Sequence, residues 1–229
     1  RALEGEHVAA RGRALWHGLK AGAENADVAA QEALPSLPIA QRVSIAEALH
    51  ERGALRLFGA TLTAADAAAA SGRFRFATTL YNEAAESAGS GTDRACALCR
   101  LGELEARQSR HPAALEVLRR ALEAGGSELS VEGRVEILAG MARSAVMTGA
   151  LEDAERWAAE GLAGVAASAT RTRGGLRYTR GLVAWYRGDL ETARKGFDAA
   201  LKDIHEAGDR VEEGAVVTAL GLVAHREGE

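Results

Sequence analysis

Apolar residues recur along this chain every three or four positions. In Gly188–Leu201 the set Leu190, Ala193, Phe197 and Ala200 falls on one side of the chain. That spacing matches the 3.6-residue period of an α-helix. Ile39, Val43, Ala46 and Leu49 predict a second helix, from Ile39 to Arg52, with charge on its opposite face and Gly53 at its end. Upstream, Leu3, Val8, Leu15 and Leu19 make a partial stripe beside Trp16 and His17. Helix is expected to continue from Ala26 to Leu34 and to close at Pro35 and Pro38. Leu55-Arg-Leu-Phe58 reads as a short connector packed on the next hairpin. Period-two alternation of β-branched residues is scarce, so no sheet is expected.

From about residue 58 the helical pattern itself repeats. With Ala193 as anchor, Gly188 stands five residues before it and Leu190 three before; Gly181 stands twelve before, Phe197 four after and Ala200 seven after. The same offsets give Gly149, Leu151, Ala142, Ala158 and Gly161 around Ala154. They give Ser109, His111, Gly102, Leu118 and Ala121 around Ala114, and Gly72, Phe74, Ala65, Tyr81 and Ala84 around Ala77. The anchors are 37, 40 and 39 residues apart, and Gly221 and Gly228 repeat the Gly181/Gly188 pair 40 residues on. A fixed period of this size is the mark of stacked helical hairpins, since one hairpin cannot bury its apolar face alone. The small residue twelve before the anchor and the anchor itself are expected where two antiparallel helices cross. The Gly five before the anchor is expected to end the first helix in a left-handed turn. Tyr81, Leu118 and Phe197 are expected to fill the gap to the following hairpin.

Gly181, Ala193, Phe197 and Ala200, with their upstream copies, resemble the tetratricopeptide repeat (TPR) family over about residues 58–229. The resemblance implies an all-α fold, a right-handed superhelical solenoid of antiparallel helix pairs, with about four repeats and a truncated fifth. Residues 1–57 are then an irregular helical lead-in, with Gly18 and Ala30 at the spacing of a decayed repeat. The family's period is nearer 34, so helices longer by a turn, or longer loops, are implied. Ala158 replaces a bulky residue, and His111-Pro112 replaces the usual turn. The tail, Ile204 to Ala215 and then Ala219-Leu-Gly-Leu-Val223, is similar to the long repeats that follow ATPase modules in bacterial signal-transducing ATPases, regulators and Ser/Thr kinases.

Composition narrows the function. The 229 residues are 47% hydrophobic but only 4% aromatic, so the core is to be built from Ala, Leu and Val, which lets helices approach closely. A net charge of −4 argues against a nucleic-acid partner, and no run of apolar residues is long enough for a membrane span. Arg1-Ala-Leu-Glu-Gly-Glu carries no secretion signal, and the chain reads as a piece of a longer protein. Cys96 and Cys99 have the spacing of half a metal or redox site, but no second pair accompanies them; two unpaired thiols fit the cytoplasm. No phosphate loop, no nucleophile turn and no paired metal-spaced histidines appear, so neither an enzyme nor a cofactor is expected.

What the resemblance implies instead is a protein or peptide partner held against the first helix of each hairpin. Counting from the anchors, this face holds Leu62, Asp66 and Ala69; then Cys99, Glu103, Ala106 and Arg107; then Ala139, Arg143, Val146 and Met147. Tyr178, Leu182, Trp185 and Tyr186 follow, and then Thr218, Leu222, His225 and Arg226. The Lys and Asn of carboxylate-clamping members are not in these slots. The candidates are Arg107, Arg143, Tyr178, Trp185, Tyr186 and Arg226. The aromatic trio reads either as a platform for a peptide or helix or as packing against a neighbouring helix. Arg171, Arg173, Arg177 and Arg180 read either as an anion contact or as a solvated loop that balances nearby carboxylates. The expected role is an interaction scaffold or sensor segment of a cytoplasmic bacterial signalling protein, with other domains of the parent chain among its partners. The alternative is an effector-sensing, autoinhibitory arm of a signal-transducing ATPase or kinase.

Overall fold

The computed structural model describes the backbone of residues 2–228 and the side chains of 7–228. Among these residues the regular structure is helical throughout. The helices are α1 (Ala2–Ala21), α2 (Ala26–Ala33), α3 (Ile39–Glu51), α4 (Phe58–Ala70), α5 (Phe74–Ser87) and α6 (Gly91–Arg107). They continue as α7 (His111–Gly125), α8 (Val131–Met147), α9 (Leu151–Gly164), α10 (Thr170–Tyr186), α11 (Leu190–Ala207) and α12 (Arg210–Glu227). The chain falls into two compact units, residues 1–104 and 105–229. The long period comes from helix length rather than loops: α6, α8 and α10 have 17 residues each, and α11 and α12 have 18.

In the first unit, α1, α2 and α3 close around Leu19, Ala30, Leu34, Leu37, Ile45 and Leu49, all nearly or fully inaccessible. Leu34–Ser36 is a single 3₁₀ turn with Pro35 in it, and α3 starts just after Pro38. The connector expected over Leu55–Phe58 spans 54–57, since Phe58 already opens α4. Leu55 packs on the core that joins α1–α3 to Ala60 of α4, and Leu57 is 51% exposed. Gln31 ties the connector down: its side-chain oxygen accepts from the backbone N–H groups of Arg56 and Leu57 at 2.9 and 3.1 Å. Those donors have no helical partner of their own at the start of α4.

The repeat register holds at its small positions. The anchors Ala77, Ala114, Ala154 and Ala193 have no accessible surface, and neither do Ala65, Ala142, Ala84, Ala121, Ala158 and Ala200. Gly72, Gly149 and Gly188 take φ of 79°, 79° and 82°, the left-handed turn expected of them. Ser109 fills the same slot at φ 59°, so the second hairpin makes the turn without glycine. Leu118 of α7 packs onto Gly140 of α8, the first helix of the next hairpin, as the spacing requires.

At the α10–α11 crossing Gly181 meets the ring of Phe197 and the backbone of Gly196. A Cβ built on Gly181 would lie 2.5 Å from the Phe197 ring, and one on Gly196 would lie 3.0 Å from the Gly181 Cα. Two turns away, a Cβ on Gly174 would lie 2.6 Å from Ile204. α10 and α11 therefore run antiparallel at close range along Gly174, Gly181 and Gly196.

Candidate functional site

The described residues put the open part of the first-helix face in the second unit. In the first unit three of the corresponding positions are already used. Ala69 and Cys99 are buried, and the Asp66 carboxylate accepts the Tyr81 hydroxyl at 2.7 Å. Burial and this carboxylate together push the Tyr81 phenol far above its ordinary range, so it stays a donor.

In the second unit, α8, α10 and α12 lie side by side as the first helices of successive hairpins. Their last turns place Met147 and Tyr186 at matching positions, with Leu222 one turn back on α12; they are 57%, 53% and 49% exposed. Arg226 occupies the Met147/Tyr186 position on α12, and Arg107 occupies it at the end of α6. Both arginines are exposed. Arg143 of α8 reaches past α10 to Glu212 of α12, with 3.8 Å between guanidinium and carboxylate. That contact is at the outer limit of an ion pair between partly solvated groups, and such pairs contribute little to stability.

The aromatic trio divides. Tyr178 rests on Phe197 with ring centroids 5.5 Å apart, and it packs on the core of α10, α11 and α12. Burial raises its pKa, and Tyr186 and Glu212 add to the shift. Trp185 also packs on that core and stands edge-on to Tyr186 at 5.0 Å, under the Arg226 guanidinium at 5.2 Å. Its indole Nε1 is inaccessible and has no acceptor among the described residues. Tyr186 alone of the three presents most of its side chain to solvent. The surface is thus an apolar strip, Met147–Tyr186–Leu222, supported from beneath by Tyr178 and Trp185 and framed by Arg143 and Arg226.

The arginines at the start of α10 are engaged by carboxylates. Arg171 pairs with Asp209 at 2.8 Å, and Arg180 with Glu155 at 2.8 Å. Arg173 and Arg177 both hold Asp203, each with a contact at 2.7 Å. Asp203 is 2% exposed and was not among the sequence candidates. The Arg173 pKa is raised, mainly by its hydrogen bond to Asp203. Cys96 and Cys99 are not joined in a disulfide, and among the described residues no group of three or more His, Cys, Asp or Glu gathers around a metal-sized space. No described helix is long and apolar enough to cross a membrane.

Solved structures share this arrangement at low sequence identity. BtubC (BKLC) from P. vanneervenii superimposes with a TM-score of 0.64 at 19% identity, over 85% of this chain and 83% of that one. The fold is TPR-like. A Rap protein complexed with competence and sporulation factor gives 0.65 at 15% identity, over 98% of this chain and 72% of that one. PilF of Pseudomonas aeruginosa gives 0.54 at 15% identity, over 95% and 90%. No family model matches the sequence, and no curated protein does. The TPR-like likeness concerns the helix pairs and their stacking, and identities this low carry nothing about ligands.

Proposed function

We propose that this chain is a protein-interaction scaffold that binds an extended peptide or protein segment on the α8–α10–α12 face. One observation carries the reading. Three large apolar side chains, Met147, Tyr186 and Leu222, stay about half exposed on three neighbouring helices of one unit. Contiguous exposed apolar surface rimmed by polar groups marks interaction sites. Rigid aromatics and arginines are the residue types that anchor partners. Arg143 and Arg226 beside the strip, with Arg107 at the same repeat position on α6, favour a segment with carboxylates flanking its apolar residues. Helix axes about 9 Å apart give a strip roughly 18 Å long across three helices, which about six extended residues cover.

The Rap structure is that of a protein complexed with a factor, which is in keeping with a binding role for such a scaffold. The wider setting we infer is a cytoplasmic bacterial signalling protein whose other domains work with the repeats at 58–229, after a helical lead-in at 1–57. The similarity of the tail to long repeats beside ATPase modules supports that setting.

The test uses the intact chain to select peptides from a random library, followed by affinity measurement on the best binder. Selected sequences are expected to combine acidic and large apolar residues. Tyr186→Ala is expected to weaken binding about tenfold, the loss of one anchor of ~1.4 kcal/mol. Binding that survives Tyr186→Ala and Arg143→Glu unchanged, in folded protein, would refute the assignment of this face.

A further inference from the structure

The opposite side of α10 carries a second feature. There, α9 and α11 leave a cleft of about 540 Å³ above α10, within the size range of small-molecule sites. One residue lining it departs from the repeat register. The position three after each anchor is Leu80, Val117 and Trp157 in the first three hairpins and Gly196 in the fourth. In the third hairpin Trp157 fills its space and is 8% exposed. In the fourth, the backbone of Gly181 closes against Gly196, and Gly181, Gly196 and Ala199 line the cleft.

The walls are basic. Arg173, Arg177 and Arg180 line the cleft from α10, Arg187 from the residue that caps it, and Lys195 from α11. The four arginines lie on one helix face and span about 21 Å at ~1.5 Å per residue. Two carboxylates, Glu155 and Asp189, are among the lining residues, against these five cations. Asp189 is committed to the N-terminus of α11, where it accepts from the Thr192 N–H at 3.0 Å. Glu155 takes the Nε and Nη2 of Arg180 on one oxygen, both at 2.8 Å, which leaves Nη1. Asp203 takes Nη1 of Arg177 at 2.7 Å, which leaves Nε and Nη2. Arg187 has no carboxylate partner among the described residues. The carboxylates therefore fix two guanidinium groups by one edge and leave donors on another. Leu162, Val183 and Ala184 supply an apolar part of the lining.

Fixed arginine forks with spare donors are suited to tetrahedral oxyanions, and their orientation before binding reduces the entropy lost on binding. We propose that this cleft is a binding site for a phosphate-bearing small organic anion, its phosphates held by Arg177, Arg180 and Arg187 and its carbon portion against Leu162 and Ala184. The site is independent of the peptide face. Tyr178, Leu182, Trp185 and Tyr186 leave α10 on the side away from the arginine stripe.

The test is calorimetric titration of the intact chain at low ionic strength, in EDTA, with inorganic phosphate, pyrophosphate and ATP as probes. ATP is expected to bind one molecule per chain, more tightly than pyrophosphate, and pyrophosphate more tightly than phosphate. Added NaCl is expected to weaken all three. Arg187→Glu is expected to lower ATP affinity by roughly tenfold or more without changing the ligand-free Tm, since the side chain holds nothing else. Ala199→Phe is expected to fill the cleft and abolish binding, while Tyr186→Ala leaves it untouched. The proposal is overturned if millimolar ATP gives no binding heat, if ATP binds no better than pyrophosphate, or if Arg187→Glu and Ala199→Phe both leave ATP affinity unchanged.

Discussion

The hairpins α4–α5 and α10–α11 follow one register and solve its central contact differently. In α4–α5 the small position is Ala65, and the large residue four after the anchor is Tyr81. The helices there keep the distance that an alanine Cβ requires, and the Tyr81 hydroxyl is anchored on Asp66 of the facing helix. In α10–α11 the same two positions are Gly181 and Phe197, and Gly196 lets the backbones come closer. The polar tie moves to the other end of the hairpin, where Arg173 and Arg177 hold Asp203. One pattern of small and large residues thus fixes which helices pair. The residues beside the pattern set how close they come and whether a cleft remains. The first hairpin places a polar side-chain bridge between α4 and α5, Tyr81 to Asp66, on the would-be binding face, and the fourth leaves that face to Tyr186.

That comparison can be broken at four points. Asp203→Ala should have the largest effect, because it leaves two arginines without the buried carboxylate between them. A loss of about 3 kcal/mol or more in urea unfolding is expected, with Asp203→Asn recovering little of it. Gly181→Val comes next. Its side chain would overlap the buried Phe197 ring, and overpacking of this kind costs about 3 kcal/mol. The matched change Ala65→Val in the first unit should cost less, because no glycine backbone faces it. Tyr81→Phe should cost about 1 kcal/mol by leaving the Asp66 oxygen without its donor, whereas Phe197→Tyr should destabilise by burying a hydroxyl with no acceptor. The smallest effect belongs to Asp189. Its hydrogen bonds with Thr192 hold its pKa below the ordinary value of 3.8. A carboxylate with a depressed pKa contributes stability above its unfolded value, and that contribution is lost as the pH falls through the folded value. The Tm difference between wild type and Asp189→Ala should therefore be constant at neutral pH and shrink in acid below pH 3.8, which a thermal melt series checks.

Much of this architecture was legible because the repeat constrains the same offsets four times. Anchors, small positions and left-handed caps follow from sterics that hold wherever two helices cross, and even Ser109 was found by its slot. Gly196 and Asp203 were not legible. Each stands where the other hairpins carry something else, so the register gives no signal, and Asp203 meets its arginines 26 and 30 residues away. The polar tie of the connector 54–57 was not legible for a similar reason. A single glutamine, Gln31, holds it through two backbone hydrogen bonds. On the candidate site, helical spacing placed Arg143, Tyr178, Trp185 and Tyr186 on α8 and α10. It did not separate Trp185, which supports, from Tyr186, which is presented. That distinction depends on how α12 packs, which no local pattern encodes.

The central claim is that the strip on α8, α10 and α12 receives an extended peptide. The chain has two methionines, and both lie on α8: Met147, 57% exposed within the strip, and Met141, 2% exposed in the core. Methionine-methyl NMR of the intact protein therefore gives one reporter in the site and one behind it. Addition of a library-selected binding peptide is predicted to shift the Met147 methyl signal in a saturable way and to leave Met141 in place. A bound peptide that leaves Met147 unmoved would contradict the account.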